Sequence, residues 1–404
     1  MKCGLLGRKL GHSYSPQIHS LLGDYAYTLF EKEPHQLANF LHSGDFDGLN
    51  VTMPYKKAVI PYLDELTPEA QQLGAVNTIV RRNGRLIGHN TDYFGFKTMV
   101  KQSGLSPAGK KCLVYGSGGA SNVAVAVLKK LGAEVVIISR TGENHYGNLQ
   151  RHADAAIVVN ATPVGMYPNT CVSFIDLGLF PHLEGVLDMI YNPARTQLLM
   201  DAQNRGIHAM NGLWMLVAQA KQASEWFMNT PLPDSKIDLV YAILRAQMEN
   251  IVLIGMPGCG KSTIGRLLAE KTGKRFVDTD AEVEAMMCKS IPEIFSEYGE
   301  KGFRALETQV LATFGKQSSL VIATGGGCVT MERNEPLLRQ NGRIFWLQRD
   351  VETLPTAGRP LSQSGSLQAM YAERAPLYEA FADRMIDNNG TAQDAVNAIL
   401  EGFQ

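Results

Sequence analysis

The chain has 404 residues, 45% of them hydrophobic and 19% charged, with a formal net charge of −1. That length exceeds one ordinary compact core and points to about two or three domains, of soluble globular rather than disordered composition. Near-neutrality leaves no global field for nucleic acid or an anionic membrane, so any phosphate must be gripped locally. The six cysteines are dispersed, with no C-x-x-C pair and no histidine cluster beside them, which argues for reduced thiols rather than zinc or disulfides. Arg8 and Lys9 interrupt the opening apolar residues, so no secretory core is expected, and no uncharged apolar run approaches the ~18 residues of a membrane span. Small-molecule partners in the cytoplasm are the expectation, with neither nucleic acid nor membrane; oligomeric state, a homo-oligomer included, stays open.

In chain order, four short polar clusters come first: His12-Ser13-Tyr14-Ser15-Pro16, Asn50-Val51-Thr52-Met53-Pro54-Tyr55-Lys56, Gly74-Ala75-Val76-Asn77-Thr78 and Gly88-His89-Asn90-Thr91-Asp92. Each alone reads equally well as a turn with satisfied hydroxyls. An apolar strand at 112–115 then runs into Gly116-Ser117-Gly118-Gly119-Ala120, followed by a helical pattern over 121–131 ended by Gly132. Strand, glycine loop and helix form the opening unit of a parallel α/β layer, and such a loop lets backbone approach a pyrophosphate. The next strand, 134–138, ends in Ser139-Arg140-Thr141, where an NAD site would carry a carboxylate for the ribose hydroxyl. A guanidinium with two hydroxyls suits a 2′-phosphate instead, so NADP is expected.

Two prolines and turn residues over 229–235 mark a boundary, and a short helix over 236–248, capped by Asp234 or Ser235, leads straight into a second strand. That strand, 251–254, precedes a loop over 255–262 that matches G-x-x-x-x-G-K-[ST] at every fixed position. Backbone N–H groups of Gly258, Cys259, Gly260 and Thr263 are expected to cradle phosphates, Lys261 to reach the β/γ oxygens, and Ser262 to ligate Mg²⁺ of bound ATP.

Taken together, the clusters before the first loop resemble the shikimate dehydrogenase family, and the resemblance continues through Asn160–Met166, Asp188-Met189-Ile190-Tyr191-Asn192-Pro193 and the run from Gly212 to Gln219. It implies that Ser13, Ser15, Thr52, Asn77, Asp92, Tyr191 and Gln219 surround a carboxylated polyol and that Lys56 and Asp92 are the reacting pair. The cofactor side would comprise residues 116–120, Ser139, Arg140, Thr141, Met189 and Gly212. After the second loop, Asp278-Thr279-Asp280, Arg304 with Glu307, Gly325-Gly326-Gly327, Gly358-Arg359-Pro360-Leu361 and Arg374 resemble shikimate kinase motifs. The resemblance implies that Asp280 bonds the accepting hydroxyl, Arg304 and Arg374 hold the substrate carboxylate, and Gly326 offers backbone contact. Asp278 would support Mg²⁺, and Arg359, on a lid, would neutralise phosphate. Glu307, one helical turn from Arg304, can fix that guanidinium. The short segment 347–358 has no clear counterpart of the arginine that stacks on adenine in that family, and Arg349 matches it in location alone.

The implied fold class is α/β throughout. A discontinuous α/β substrate domain (1–95 and 206–249) would enclose a Rossmann-type dinucleotide domain (96–205), and a P-loop kinase α/β domain with a parallel sheet and a lid would occupy 250–404. The expected activities are NADPH-dependent reduction of 3-dehydroshikimate and ATP-dependent phosphorylation of shikimate. Two alternatives remain at this level: an NAD-using quinate/shikimate dehydrogenase fused to the kinase, and a nucleotide-sensing regulator with one inactive half.

Overall fold

A computed structural model describes residues 1–11, 13–354 and 366–403. His12 and Arg359, the latter expected on a lid, lie outside the described residues. The chain divides into two compact units, the first comprising Met1–Pro163, Phe174–Tyr191 and Asp201–Ile243, and the second Val164–Ser173, Asn192–Met200 and Leu244–Gln404. No helix among the described residues is long and apolar enough to cross a membrane.

The first unit carries two sheets. Strands β1 (Lys2–Gly7), β2 (Ala26–Glu31), β3 (Gly48–Val51), β4 (Glu65–Leu66), β5 (Thr78–Arg82) and β6 (Arg85–His89) order as β2-β1-β3-β5-β6-β4. The β1–β2 and β1–β3 pairs are parallel, whereas β5 runs antiparallel to both neighbours. The Lys56 helix (Tyr55–Ala58) follows β3, and Asp92 follows β6, so the two chain segments leave the same sheet. Strands β7 (Lys111–Tyr115), β8 (Glu134–Ile138), β9 (Ile157–Asn160), β10 (Gly185–Asp188) and β11 (His208–Met210) form a wholly parallel sheet ordered β11-β10-β9-β7-β8. Its central strands β9 and β10 are buried along their whole length, as strands covered on both faces must be.

The helix after the first glycine loop spans Gly119–Lys130 rather than 121–131, because the end of the loop is itself the first helical turn. Strand β11 lies beyond residue 206, so the chain leaves this sheet only after Met210, later than the sequence suggests. Helices Asp92–Gln102 and Leu213–Met228 connect the two sheets and touch at Gly95, where a Cβ would come within 2.7 Å of the Met215 carbonyl oxygen and 3.0 Å of the Gln219 Cβ. Any larger residue there would push Gln219 away from the start of the Asp92 helix.

In the second unit, β12 (Asn250–Ile254), β13 (Arg275–Asp278), β14 (Leu320–Ala323), β15 (Gly342–Gln348) and β16 (Arg384–Asp387) build a parallel sheet ordered β13-β14-β12-β15-β16. The apolar run of β12 is fully buried at its centre, and the phosphate-loop motif leaves its C-terminal end. This unit also takes in Asn192–Met200, which a break at 249/250 does not anticipate. The Ala194 N–H donates to Asn341 Oδ1 at 2.8 Å, and Arg195 Nη1 donates to the carbonyls of Arg339 and Gly342 at 2.8 and 2.9 Å. These are largely backbone partners, so residue type gives little warning of them.

Two candidate active sites

In the first unit, Lys56 Nζ lies 2.6 Å from Asp92 Oδ2, with the lysine side chain 33% exposed and the aspartate 14%. Asp92 opens its helix, where the axial dipole favours a carboxylate. The Lys56 carbonyl accepts from the Val76 N–H at 2.7 Å, which ties the lysine's short helix to the loop leading into Asn77. Asn77 is buried and locked to the turn before Asp92: Thr91 N–H donates to Asn77 Oδ1 at 2.7 Å, and Asn77 Nδ2 donates to Thr91 Oγ1 at 3.0 Å. Thr91 Oγ1 donates in turn to Gln219 Oε1 at 3.4 Å. Thr52 is held by its N–H to the Leu6 carbonyl at 3.0 Å. Ser13 Oγ accepts from the Ser15 N–H at 3.2 Å, and Tyr14 between them meets Tyr191 edge-on with ring centroids 6.2 Å apart. Asn77, Thr91 and Gln219 are thus joined by one bonded network beside the Lys56–Asp92 pair, and Ser13, Ser15 and Tyr191 share a second corner.

The cofactor side is built from backbone. Gly116 has φ +117°, and a Cβ there would meet the Ala161 carbonyl at 3.0 Å, so only glycine makes this turn. A Cβ on Gly118 or Gly119 would meet nothing, and Ser117 through Ala120 are exposed at a helix N-terminus that no side chain caps. Those free N–H groups and their dipole suit an anion. Ser139 Oγ donates to the Thr141 carbonyl, and Arg140 is exposed without an ion-pair partner among the described residues. Gly212 packs so closely on the end of β10 that a Cβ would fall 2.2 Å from the Met189 carbonyl oxygen. From Gly212 the helix runs seven residues to Gln219, about 10 Å, which links the cofactor corner to the Asp92 corner.

In the second unit a cleft of about 620 Å³ collects the predicted set: Gly258, Gly260, Lys261, Ser262 and Thr263 with Asp278, Asp280, Arg304, Gly326 and Arg374 all line it. The Cys259 side chain is fully buried, which leaves its backbone N–H, the group expected there, for a phosphate. Lys261 Nζ donates to the Gly255 and Met256 carbonyls at 2.9 and 3.0 Å, drawing the loop into a ring. Ser262 Oγ donates to Asp278 Oδ2 at 2.6 Å. Asp278 also caps the helix Thr279–Met287 by accepting from the Asp280 N–H, which aims Asp280 into the cleft. Burial raises the Asp280 carboxyl above the usual range; Lys261 opposes this and Asp278 adds to it.

Arg304 is 6% exposed and Glu307 is fully buried, with Nη1 and Oε2 2.8 Å apart. Burial works against the guanidinium charge, yet Glu307 and Glu300 hold it protonated. Arg374 Nη1 donates to the Gly326 carbonyl at 3.3 Å, which brings a second guanidinium to the same wall. The triple glycine is what admits them: a Cβ on Gly325 would sit 2.4 Å from Glu307 Oε1 and 2.6 Å from Asp280 Oδ1, and one on Gly327 would sit 2.0 Å from Arg304 Nη2. Arg349 is not part of this wall; its Nε donates to Thr353 Oγ1 at 3.3 Å.

Comparison with known proteins decides the family. Residues 5–79 match the shikimate dehydrogenase substrate-binding domain, and residues 257–404 match shikimate kinase. The NADP(+) shikimate dehydrogenase of Clostridium perfringens (strain SM101 / Type A) is 33% identical over 266 residues, covering 60% of this chain and 98% of that protein. The chain belongs to the shikimate dehydrogenase family and carries a shikimate kinase domain behind it. The crystal structure of shikimate dehydrogenase 1 from Peptoclostridium difficile agrees, at 36% identity and a TM-score of 0.55, covering 60% of this chain and 97% of that one. Quinate dehydrogenase from Corynebacterium glutamicum, solved with NAD, is 27% identical with a TM-score of 0.55, covering 60% and 99%. The chain is a bifunctional shikimate-pathway enzyme.

Several wall residues of the two sites escaped the sequence reading. Thr91 is the hub between Asn77 and Gln219 in the dehydrogenase part, and its signal was only its place before Asp92. In the kinase part, Phe295 and Phe303 stack with centroids 4.7 Å apart beside the arginines. A non-helical Gly299 (φ 65°) separates them, which breaks the periodicity that would have paired them in sequence.

Proposed function

We propose that the two sites act in succession on one ring acid: NADPH-linked reduction of 3-dehydroshikimate to shikimate at Lys56 and Asp92, then transfer of phosphate from ATP to the shikimate hydroxyl at Asp280. The observations that support this reading are the Lys56–Asp92 pair at 2.6 Å in the first site and the cleft of the second that collects Lys261, Asp280, Arg304 and Arg374. In the first site, the nicotinamide supplies hydride when bound. As charge collects on the ketone oxygen, the Lys56 ammonium stabilises it and delivers a proton, while Asp92, 2.6 Å away, orients the ammonium and accepts from a neighbouring hydroxyl. Ser13, Ser15, Thr52, Asn77, Tyr191 and Gln219 meet the remaining oxygens, because an unmatched buried hydroxyl is costly. Residues 116–120 with Met189 and Gly212 hold the dinucleotide, and Arg140 with Ser139 and Thr141 takes its 2′-phosphate.

In the second site, Arg304 and Arg374 grip the carboxylate, Asp280 takes the proton of the attacking hydroxyl, and Lys261 offsets charge on the transferred phosphate. Ser262 and Asp278 offer a hydroxyl and a carboxylate 2.6 Å apart, and no cluster of three His, Cys, Asp or Glu occurs among the described residues. Such a sparse donor set suits Mg²⁺ that arrives with the nucleotide and keeps most of its water. The six cysteines are free thiols, in keeping with the cytoplasm.

One coupled assay tests the whole reading. Dehydroshikimate, NADPH and Mg-ATP given to the intact chain should yield shikimate 3-phosphate; absence of that product, with shikimate accumulating, removes the second step. The similarity to an NAD-bound quinate dehydrogenase supports a second reading of the nucleotide site. Initial rates with NADPH and NADH separate the two, and faster reduction with NADH would reverse the assignment of Arg140.

Two further outcomes follow from the kinase wall. Arg304→Lys should raise the KM for shikimate in the kinase assay by about tenfold, with a smaller change in kcat. One ammonium can still satisfy Glu307 but cannot also fork across a carboxylate. Steady-state kinetics would contradict this if kcat fell while KM stayed put. The pH profile is the other. Because burial favours its neutral form, Asp280 takes up a proton at a higher pH than an ordinary carboxylate, so the base is lost sooner on acidification. The kinase kcat/KM should therefore fall on the acid side before the normal carboxylate range is reached, and Asp280→Asn should abolish that limb with the activity.

A further inference from the structure

Behind the substrate-facing residues of the dehydrogenase site runs a line of side chains that the proposed mechanism does not use. Tyr27 on β2 donates its hydroxyl to Asn50 Oδ1 at 2.7 Å. Asn50 Nδ2 donates to Thr78 Oγ1 at 3.2 Å, and Thr78 Oγ1 donates to Asn77 Oδ1 at 3.1 Å. Asn50, Thr78 and Asn77 are all buried. His19 stacks on the Tyr27 ring with centroids 4.1 Å apart. His19 is fixed from behind, since its Nδ1 meets Tyr25 Oη at 2.6 Å and Ser224 Oγ at 3.1 Å.

The direction of this line has a chemical consequence. A phenol at Asn50 Oδ1 turns the Asn50 amide so that its NH₂ group faces Thr78. Thr78 then has its proton free for Asn77 Oδ1, which also accepts from the Thr91 N–H at 2.7 Å. With Oδ1 doubly engaged and one amide hydrogen spent on Thr91, Asn77 has one N–H left to offer. We infer that Tyr27 is a positioning residue for the dehydrogenase reaction: through Asn50 and Thr78 it reinforces the orientation that the Thr91 N–H gives the Asn77 amide, so that the substrate meets a steady donor there. This rests on the reading of Asn77 as a substrate contact. Tyr27 itself need not touch the substrate.

Tyr27→Phe keeps the ring against His19 and removes only the hydroxyl. In the intact chain, shikimate oxidation with NADP⁺ should show the KM for shikimate raised about fivefold, the equivalent of roughly one net hydrogen bond, with the KM for NADP⁺ and kcat within about twofold. Thr78→Val, which is nearly isosteric, cuts the same line on the far side of Asn50 and should raise the shikimate KM similarly. Because both cuts weaken the same Thr78 bond to an amide that Thr91 still holds, the double variant should be no worse than the worse single one. The kinase activity of the same molecules and their melting curves report folding. A Tyr27→Phe protein that melts normally and retains the parent shikimate KM overturns the inference, and so do fully additive effects of the two changes. Should Tyr27→Phe fail to fold, Thr78→Val decides alone, an unchanged KM again overturning it. If the parent chain does not oxidise shikimate at all, the functional reading fails instead.

Discussion

Lys261→Ala is expected to reduce shikimate phosphorylation by about 10³-fold or more while leaving NADP-linked turnover at the parent rate. The ammonium is the one cation of the phosphate loop, and removing a fixed charge from a developing phosphoryl transition state typically costs this much. It also closes the loop by donating to the Gly255 and Met256 carbonyls, so alanine loosens the cradle as well as discharging it. Lys261→Met, which keeps most of the stem, separates the two contributions: activity regained by methionine measures loop order, and the remaining deficit measures charge. A second consequence is specific to this site. Lys261 holds the Asp280 carboxyl down against the effect of burial, so its removal should let the Asp280 pKa climb further. Any residual kinase activity in Lys261→Ala should then have its acid limb at higher pH than in the parent. A parallel loss of dehydrogenase activity in a folded protein would show that the two reactions are not independent.

Lys56→Ala is expected to give the mirror image, with ketone reduction down by about 10²–10⁴-fold, the range of a lost general acid, and phosphorylation of added shikimate unchanged. The deficit should lie mainly in kcat, because the ammonium matters most once charge has built up on the oxygen. Asp92 would keep its place, since it heads its own helix beside Thr91 and the Asn77 network, and that network does not pass through the lysine. Methylamine added to Lys56→Ala offers a direct check, because a small amine that fits the space should restore part of the rate. Lost binding of NADP⁺, rather than lost turnover, would move Lys56 out of the reacting pair.

The parts legible from residue order were those where chemistry forces a local pattern. A backbone that admits phosphate needs small residues and free N–H groups in consecutive positions, with a lysine added in the second loop, so the runs at 116–120 and 255–262 announce themselves, each between a strand and a helix. Gly116 with φ +117° shows why glycine rather than merely a small residue stands there. Most of the residues named from the kinase motifs, Lys261, Ser262, Asp278, Asp280, Arg304, Gly326 and Arg374 among them, come together in a single cleft. The tertiary structure adds that the Cys259 sulfur is buried, which leaves its backbone, the part the motif assigns to phosphate, for the ligand.

Residue order alone therefore carries the two glycine-rich loops and the succession of a dehydrogenase and a kinase domain. It could not carry which groups touch. Lys56 and Asp92 stand 36 positions apart, and Thr91 and Gln219 stand 128 apart. Such pairs form only when a sheet register or a close helix crossing, as at Gly95, brings distant segments together. The same holds for the glycines that admit Glu307 and Arg304, for the Tyr27 line behind Asn77, and for Asn192–Met200 joining the second unit. Local propensity depends on a few neighbouring residues, whereas a hydrogen bond depends on angstroms, and the three-dimensional fold alone converts one into the other.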